Sequence, residues 1–220
     1  MPLEIPVQLT QPITYLITNG ETAIASTESV ARLLKLLSAA VAARVSLIQL
    51  REKNLSARAL YELTSRAVAI TRSSSTRLLL NDRADIAHAA GADGVHLTTR
   101  SLEAAVVRAA FGADFLIGAS THSVAEARAA RAGGADFVVF GPVFRSSAKG
   151  PYGEPQGLEK LTEVAVELAP FPVIALGGVD ELGALDCIRA GASGIAAIRL
   201  FSECESLEKL VESLRQIGGE

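Results

Sequence analysis

The chain repeats one local pattern, in which an alanine-rich stretch with helical spacing stops at a glycine and a short apolar run follows. The clearest copies of this joint lie at Gly91, Gly112, Gly134 and Gly191. Glycine tolerates the left-handed backbone conformation that ends many helices. A short apolar run without alternation is typical of a strand buried on both faces in a parallel sheet. The pattern therefore predicts repeated helix-to-strand joints.

Reading outward from these joints gives eight predicted strands. They are Ile13–Thr18, Val45–Arg51, Arg77–Asn81, Gly94–Leu97, Phe115–Ser120, Phe137–Pro142, Pro172–Leu176 and Gly194–Leu200. Helical stripes lie between them: Val30, Leu33 and Leu37 share one helix face, and Ser123 with Glu126 forms a capping box. Eight alternations in 220 residues predict an α/β fold, a single-domain (β/α)8 TIM barrel. The main alternative, a doubly wound open sheet, usually has fewer units.

No linker-like segment divides the sequence, so we expect one domain over residues 1–220 with its core at about 13–218. Twenty-one lysine and arginine residues stand against 24 aspartate and glutamate residues, a net charge of −3. Without a basic excess we expect no nucleic-acid partner, and a bound anion must be held by a few well-placed residues. Charges interrupt every apolar run before it reaches membrane-spanning length, so we expect no membrane partner.

The start of the chain lacks the pattern of a secretory signal. Its two cysteines are too few for a disulfide framework or a thiolate metal site. We therefore expect a cytoplasmic protein whose partners are small molecules. The sequence leaves the oligomeric state open, including a homo-oligomer.

A barrel forms its binding site at the carboxyl ends of its strands. At the end of the second predicted strand, Gln49, Arg51 and Lys53 alternate along the chain and so lie on one side of it. They offer donors for an anion and for the edge of a heterocycle. Gln49 and Arg51 interrupt an otherwise apolar strand, which favours a function over the alternative that Arg51 and Lys53 are simply loop charges.

The next three strands also end near polar residues. Asn81 and Asp82 follow strand three, and Asp82 is either a ligand for a hard cation such as Mg²⁺ or the N-cap of the next helix. His96 lies within strand four and is expected to be structural. Ser120 ends strand five, and His122 after it is either a general acid or base or a residue that flanks the helix cap.

The segment from Phe144 to Gly157 is longer than an ordinary strand-to-helix connection and contains three glycines and two prolines. Loops of this kind often act as lids over a site. We expect Ser146, Ser147 and Lys149 to close over a phosphate, against the alternative that Lys149 is only solvated.

Gly177 and Gly178 end strand seven, directly before a helix predicted to begin near Asp180. Bare backbone N–H groups at such a turn can wrap a phosphate, helped by the positive end of a helix. Arg199 lies near the end of the predicted strand eight, beside them. The loops after strands seven and eight are a common phosphate site of barrels, so the sequence predicts a second anion-binding region there.

Several segments together resemble the thiamine phosphate synthase superfamily, which also includes the TenI-type thiazole tautomerases. These segments are Gln49-Leu-Arg-Glu-Lys, Asn81-Asp, Gly91-Ala-Asp-Gly-Val-His-Leu, Gly118-Ala-Ser-Thr-His-Ser, Phe140-Gly-Pro-Val-Phe, Lys149 and Ala175-Leu-Gly-Gly-Val. The resemblance runs in order from about Ile13 to Phe201.

By this resemblance, the protein joins a hydroxymethylpyrimidine diphosphate to a thiazole phosphate, giving thiamine phosphate and pyrophosphate in thiamin biosynthesis. No nucleophilic side chain is needed, because the thiazole nitrogen attacks a carbocation-like pyrimidine. The leaving diphosphate needs neutralisation by cations, for which Arg51 and Lys149 are the candidates. The residues implied around the pyrimidine and its diphosphate are Gln49, Arg51, Lys53, Asn81, Ser120, Ser146 and Lys149.

The resemblance further implies that Asp82 holds Mg²⁺ and that Gly178, with Gly177 and Arg199 nearby, binds the thiazole phosphate. Three departures from the family pattern bear on this. Thr98-Thr-Arg-Ser101 stands where synthases carry a second acidic Mg²⁺ ligand, Ser146-Ser-Ala148 lacks one hydroxyl of the lid motif, and the serine expected after strand eight is replaced. Either Asp82 holds the metal with substrate phosphates and water, or Arg100 does part of the metal's work.

The missing acid favours the tautomerase alternative, in which His122 moves a proton and neither diphosphate nor metal takes part. The retained Gln49, Lys53, Asp82 and Lys149 favour the synthase, which is our prediction: a transferase that uses Mg²⁺ and small phosphorylated heterocycles. A third alternative is a non-catalytic barrel that binds a thiamin precursor and regulates.

Overall fold

The computed structural model describes residues 12–23, 26–145 and 154–217. Eight parallel strands close into a barrel in sequence order, from β1 next to β2 around to β8 next to β1. The strands are β1 Ile13–Ile17, β2 Leu47–Leu50, β3 Arg77–Asn81, β4 Gly94–Leu97, β5 Leu116–Thr121, β6 Phe137–Phe140, β7 Val173–Leu176 and β8 Gly194–Ala197. The predicted (β/α)8 barrel is confirmed, and the open-sheet alternative is wrong because β8 pairs with β1.

Helices alternate with the strands and pack on the outside of the barrel. They are α1 Thr27–Ala42, α2 Ala57–Thr71, α3 Ala84–Ala90, α4 Ala104–Phe111, α5 Val124–Ala132, α6 Gly157–Leu168, α7 Glu181–Arg189, α8 Arg199–Ser202 and α9 Leu207–Ile217. Val30, Leu33 and Leu37 of α1 are buried, as their spacing predicts. No helix within the described ranges is long and apolar enough to span a membrane.

Three predicted strands are too long by two residues or more. The strand predicted over Val45–Arg51 covers only Leu47–Leu50, and the one predicted over Phe137–Pro142 ends at Phe140. The apolar run from Gly194 was expected to continue as a strand to Leu200, but β8 ends at Ala197 and Arg199 begins the four-residue helix α8. A short apolar run does not distinguish a strand from a buried helical turn, and Phe201 of α8 is buried in the layer between barrel and helices. Arg199 is therefore the first residue of a helix rather than the end of a strand.

The apolar side chains form two separate layers. One layer lies between the strands and the surrounding helices. The other fills the inside of the barrel and includes Tyr15, Leu47, Leu79, Phe137 and Ile174. Filling of the interior by strand side chains makes such a barrel a packed core rather than a pore. A ligand is therefore restricted to the ends of the barrel, of which barrels use the carboxyl-terminal one for their sites.

A glycine is required at the start of β4, where the neighbouring strand leaves no room for a side chain. A Cβ at Gly94 would lie 1.9 Å from the carbonyl oxygen of Leu116, far inside contact distance. Gly91, three residues earlier, adopts φ +75° at the C-terminus of α3, as the recurring glycine joint predicts. Both positions fix how α3 leads into β4, and β4 in turn positions His96 near the mouth.

Candidate active site

Polar side chains interrupt the apolar filling near the carboxyl ends of β2 to β5. Gln49 follows the interior residue Leu47 by two positions and therefore points into the barrel as well. The strand register sets Asn81 beside His96, and Ser120 is near the end of β5. The topology thus brings Gln49, Asn81 and Ser120, all predicted from the sequence, to one side of the mouth.

Three of these strands are connected by a chain of hydrogen bonds to β1. Nε2 of Gln49 donates to the Tyr15 hydroxyl at 3.2 Å, and that hydroxyl lies 3.2 Å from Nδ1 of His96. Nε2 of His96 lies 2.8 Å from Oγ of Ser120. Burial lowers the pKa of His96 to about 3 and raises the pKa of Tyr15 above its usual value. Both groups are consequently neutral at physiological pH.

Positive charge collects just beyond β2. Arg51 is half-buried and Lys53 is exposed. Partial loss of hydration lowers the pKa of Lys53, and the charges of Arg51 and Arg100 lower it further, whereas Asp82 acts in the opposite direction. These three cations and one carboxylate therefore share a small region of the mouth. Such a cluster attracts a polyanion, which relieves the repulsion among the cations.

The turn that carries this cluster is held by Glu52, which the sequence reasoning missed. Glu52 is only 4% exposed. Its carboxylate accepts hydrogen bonds from the Thr18 hydroxyl at 2.8 Å and from the backbone N–H of Thr22 at 3.0 Å. Thr18 in turn accepts from the backbone N–H of Arg51 at 2.8 Å. The two cations flanking Glu52 in sequence thus extend from an anchored turn.

Asp82 lies next to this turn in a conformation that few residues other than glycine adopt. Its φ is +67°, and its backbone N–H donates to the carbonyl oxygen of His96 at 2.9 Å. Helix α3 begins at Ala84 with Arg83 as its N-cap and without a side-chain cap bond, so the N-cap alternative for Asp82 is wrong. Left-handed non-glycine residues are concentrated at functional sites, where the fold stabilises the strain.

His122 lies at the beginning of the loop after β5. Its Nδ1 donates to the carbonyl oxygen of Gly141, and its backbone N–H donates to the Glu126 carboxylate at 2.7 Å. Ser123 caps α5 by accepting from the backbone N–H of Glu126 at 3.2 Å. In the predicted capping box, Glu126 would accept from the backbone N–H of Ser123; here it accepts from that of His122, one residue earlier. The His122 ring is held at the mouth by its hydrogen bond to the backbone of Gly141.

The glycine pair after β7 lies across the barrel from the cations, because β7 is far from β2 and β3 in the closed strand order. Gly177 has φ +101° and Gly178 has φ +66°. A Cβ at Gly178 would lie 2.7 Å from the carbonyl oxygens of Phe144 and Arg145. The turn therefore packs against the segment after β6 with bare backbone, as a phosphate-binding turn requires.

Helix α8, with Arg199 as its first residue, lies directly after β8 and next to the glycine pair in the barrel order. Many barrels bind phosphate with the loops after strands seven and eight and the N-terminus of a short extra helix. The predicted lid residues Ser146, Ser147 and Lys149 lie outside the described residues.

A metal would have few protein ligands in the described part of the chain, which contains no group of three acidic, histidine or cysteine side chains close enough to share an ion. The Thr98–Ser101 segment forms a closed turn: the Ser101 hydroxyl accepts from the Thr98 backbone at 2.8 Å and lies 3.0 Å from the Thr98 hydroxyl. Asp82 is the acidic side chain facing the cations here. One carboxylate fits Mg²⁺ only if the substrate supplies further oxygen ligands.

Comparison with known proteins identifies the family of the chain. The thiamine monophosphate synthase family matches residues 14–201. A relative from Geobacter sulfurreducens is 47% identical over 166 residues, which cover 76% of this chain and 78% of the relative. The thiamine-phosphate synthase of Chlorobium luteolum is 41% identical over 172 residues, 78% of this chain and 81% of the relative.

A solved structure gives the same result at the level of the fold. The thiamine phosphate pyrophosphorylase from Pyrococcus furiosus is 30% identical and superposes with a TM-score of 0.77, covering 96% of this chain and 98% of that one. On the family match and these relatives, the chain belongs to the thiamine monophosphate synthase family.

Proposed function

We propose that this protein is a transferase that condenses hydroxymethylpyrimidine diphosphate with thiazole phosphate, releasing pyrophosphate and forming thiamine phosphate. The observation that carries the proposal is that the barrel mouth has a cluster of cations on one side and a turn of bare backbone on the other. Arg51 and Lys53 stand on one side, and the turn at Gly177 and Gly178 stands across the barrel. Two substrates that each carry phosphate would then approach each other over the polar side chains between these regions.

The pyrimidine would be held by Gln49. Because its Nε2 already donates to Tyr15, its Oε1 is the atom left to accept from a pyrimidine amino group. Arg51 and Lys53 would hold the diphosphate, with Asn81 and Ser120 beside it and Lys149 from the loop after β6. These residues would fix the bond to be broken and strengthen their hold as charge develops on the leaving group.

In the reaction, the thiazole nitrogen lone pair forms the new bond to the pyrimidine methylene carbon. The electron pair of the broken carbon–oxygen bond leaves with pyrophosphate, so the chain's cations stabilise the group that gains charge. No proton has to be removed from the attacking nitrogen. Gly177 and Gly178 would orient the thiazole by its phosphate, which lowers the entropic cost of bringing two substrates together.

Mg²⁺ is part of the proposal, with Asp82 as its protein ligand and the diphosphate as the source of the other oxygens. When bound, the ion would supply additional neutralisation of the leaving group. Arg100 would contribute charge to the same diphosphate from the turn that lacks the second carboxylate.

The test is to incubate the purified protein with both phosphorylated substrates and Mg²⁺ and to measure thiamine phosphate and pyrophosphate together. We expect the two products in equal amounts, and neither when one substrate is left out. Pyrophosphate release without thiamine phosphate would contradict the proposed condensation.

The same samples separate the two alternatives. Absence of product, together with proton exchange on a carboxythiazole phosphate that is lost in His122→Ala, would support the tautomerase. Tight binding of a precursor without either reaction would support the regulatory barrel.

A further inference from the structure

The hydrogen-bond chain inside the barrel joins four strands and is largely buried. Tyr15 is 0%, Gln49 2% and His96 3% exposed, whereas Ser120 is half-buried at the mouth. Its links join residues up to 81 positions apart in sequence. The chain therefore begins under the proposed pyrimidine site and ends at a hydroxyl beside the proposed diphosphate site.

The rings of this chain are held in place by packing. The Tyr15 and Phe137 rings meet edge to face with centroids 5.7 Å apart, and the His96 ring lies 5.8 Å from that of Tyr15. Opposite His96 the neighbouring strand carries Gly118, where a Cβ would lie 2.4 Å from the Phe137 ring and 3.0 Å from Nδ1 of His96. The position of the imidazole thus depends on the missing side chain at Gly118.

With the amide nitrogen of Gln49 facing Tyr15, as it does in the structure, only one direction of the chain satisfies every donor. An amide nitrogen cannot accept, so Nε2 of Gln49 donates to the Tyr15 oxygen. The hydrogen of Tyr15 then has Nδ1 of His96 as its acceptor, and the neutral imidazole carries its hydrogen on Nε2, which donates to Ser120. In the opposite order the Tyr15 hydrogen would be buried without an acceptor, at a cost of about 1–3 kcal/mol.

This direction determines what Ser120 offers to a ligand. Because its oxygen already accepts from His96, its own hydrogen points away from the chain. At the mouth, that hydrogen is a donor suited to a phosphate oxygen. Gln49, at the other end, is held with its amide nitrogen inward and its carbonyl oxygen available to the pyrimidine.

We propose that Tyr15 and His96 are positioning residues that lock His96 as the Nε2–H tautomer, and thereby make Ser120 a hydrogen-bond donor to the diphosphate while orienting the Gln49 amide. The ligand in this statement rests on the proposed function, but the tautomer is a property of the protein without substrate. The two parts are therefore tested separately.

The first test is ¹⁵N NMR of the full chain without substrate, using imidazole-labelled histidine. The sequence has three histidines, so His88→Gln and His122→Gln variants assign the His96 signals. We expect one protonated Nε2 and one unprotonated Nδ1 for His96, unchanged between pH 6 and 8. A hydrogen on Nδ1, or a mixture of tautomers, would overturn the proposal.

The second test asks whether Tyr15 acts through Ser120. Tyr15→Phe keeps the ring and removes the hydroxyl, and Ser120→Ala removes the terminal donor. We expect each single variant to lower kcat/KM by about ten-fold, the equivalent of one hydrogen bond. The double variant should be no worse than Ser120→Ala, because both changes remove the same donor. Fully multiplicative losses would refute the coupling.

Controls separate structure from positioning. Tyr61→Phe removes a hydroxyl from an exposed ring on α2 and should leave kcat/KM unchanged. If Tyr15→Phe does not fold, the tautomer measurement on the wild-type chain still decides the proposal. If the wild-type chain makes no thiamine phosphate, the proposed function fails. The affinity for inorganic pyrophosphate is then measured for the two single variants and the double variant, and additive losses of binding free energy would count against the coupling of Tyr15 to Ser120.

Discussion

Replacing Gly178 by alanine tests whether the turn after β7 binds the thiazole phosphate. The new Cβ would lie 2.7 Å from the carbonyl oxygens of Phe144 and Arg145 and 2.8 Å from the carbonyl carbon of Phe144. All three atoms belong to the backbone, so relief requires the segment after β6 to move by roughly 0.5 Å or more, since ordinary contacts are longer. Overpacking of this kind costs about 1–3 kcal/mol.

The left-handed φ of +66° at Gly178 adds about 1–2 kcal/mol for any residue with a Cβ. Gly91→Ala provides the matched control, because Gly91 has φ +75° and nothing within 4 Å of its Cβ position. Gly91 lies between α3 and β4, at the opposite end of the barrel. In urea unfolding, the strain of a left-handed alanine should lower the free energy of unfolding of both variants. The steric overlap should lower that of Gly178→Ala further.

Steady-state kinetics then separate the site from the scaffold. We expect Gly178→Ala to raise KM for thiazole phosphate by about ten-fold or more, since small displacements of a binding turn are costly. KM for the pyrimidine diphosphate should stay within about two-fold of wild type. The control variant Gly91→Ala should keep the wild-type KM for both substrates. An equal rise of both KM values, or a Gly178→Ala protein that behaves as Gly91→Ala does, would refute the reasoning.

Three further predictions concern the cations and the scaffold. Lys53→Gln should raise KM for the pyrimidine diphosphate about ten-fold in initial-rate assays through loss of a charged hydrogen bond, with no change for the exposed Lys35→Gln. Arg100→Asp should lower the Mg²⁺ concentration for half-maximal rate by about ten-fold, because Mg²⁺ gains a carboxylate; a titration showing no shift would count against Asp82 as ligand. Arg108→Ala, which unpairs the largely buried Asp136 2.7 Å away, should cost about 3 kcal/mol in urea unfolding. An equal loss in Arg128→Ala, from an exposed pair, would contradict the last prediction.

Much of the fold was predictable because its signals are local. The glycine joints and the short apolar runs each involve fewer than about ten residues, and Gly91 has the positive φ that its joint predicts. The error at β8 has the same origin, since the apolar residues Ile198 and Leu200 continue the run beyond Ala197. The burial of Phe201, a residue of α8, in the outer layer favours the helical turn, and that contact is not visible in the local sequence.

The candidate site was predictable where a polar residue interrupts an apolar strand, as Gln49 does. Tyr15 gives no such signal, because an aromatic residue in a strand also fits the core. Its role depends on His96, 81 positions away, and on the absence of a Cβ at Gly118. Glu52 was hidden by its charged neighbours, and its burial becomes evident only when Thr18 of the preceding strand end is brought against it.

The balance of charge at the mouth connects the net charge of the chain to its proposed chemistry. Arg51, Lys53 and Arg100 act together on one small region with Asp82 as the opposing carboxylate, although the whole chain carries a charge of −3. A second carboxylate in the Thr98–Ser101 turn would cancel part of this field and require a metal to restore it. With Arg100 there instead, the proposed diphosphate would meet net positive charge before any cation binds. On the proposed function, we therefore expect Mg²⁺ to contribute less to binding the diphosphate than to stabilising the charge that develops as it leaves.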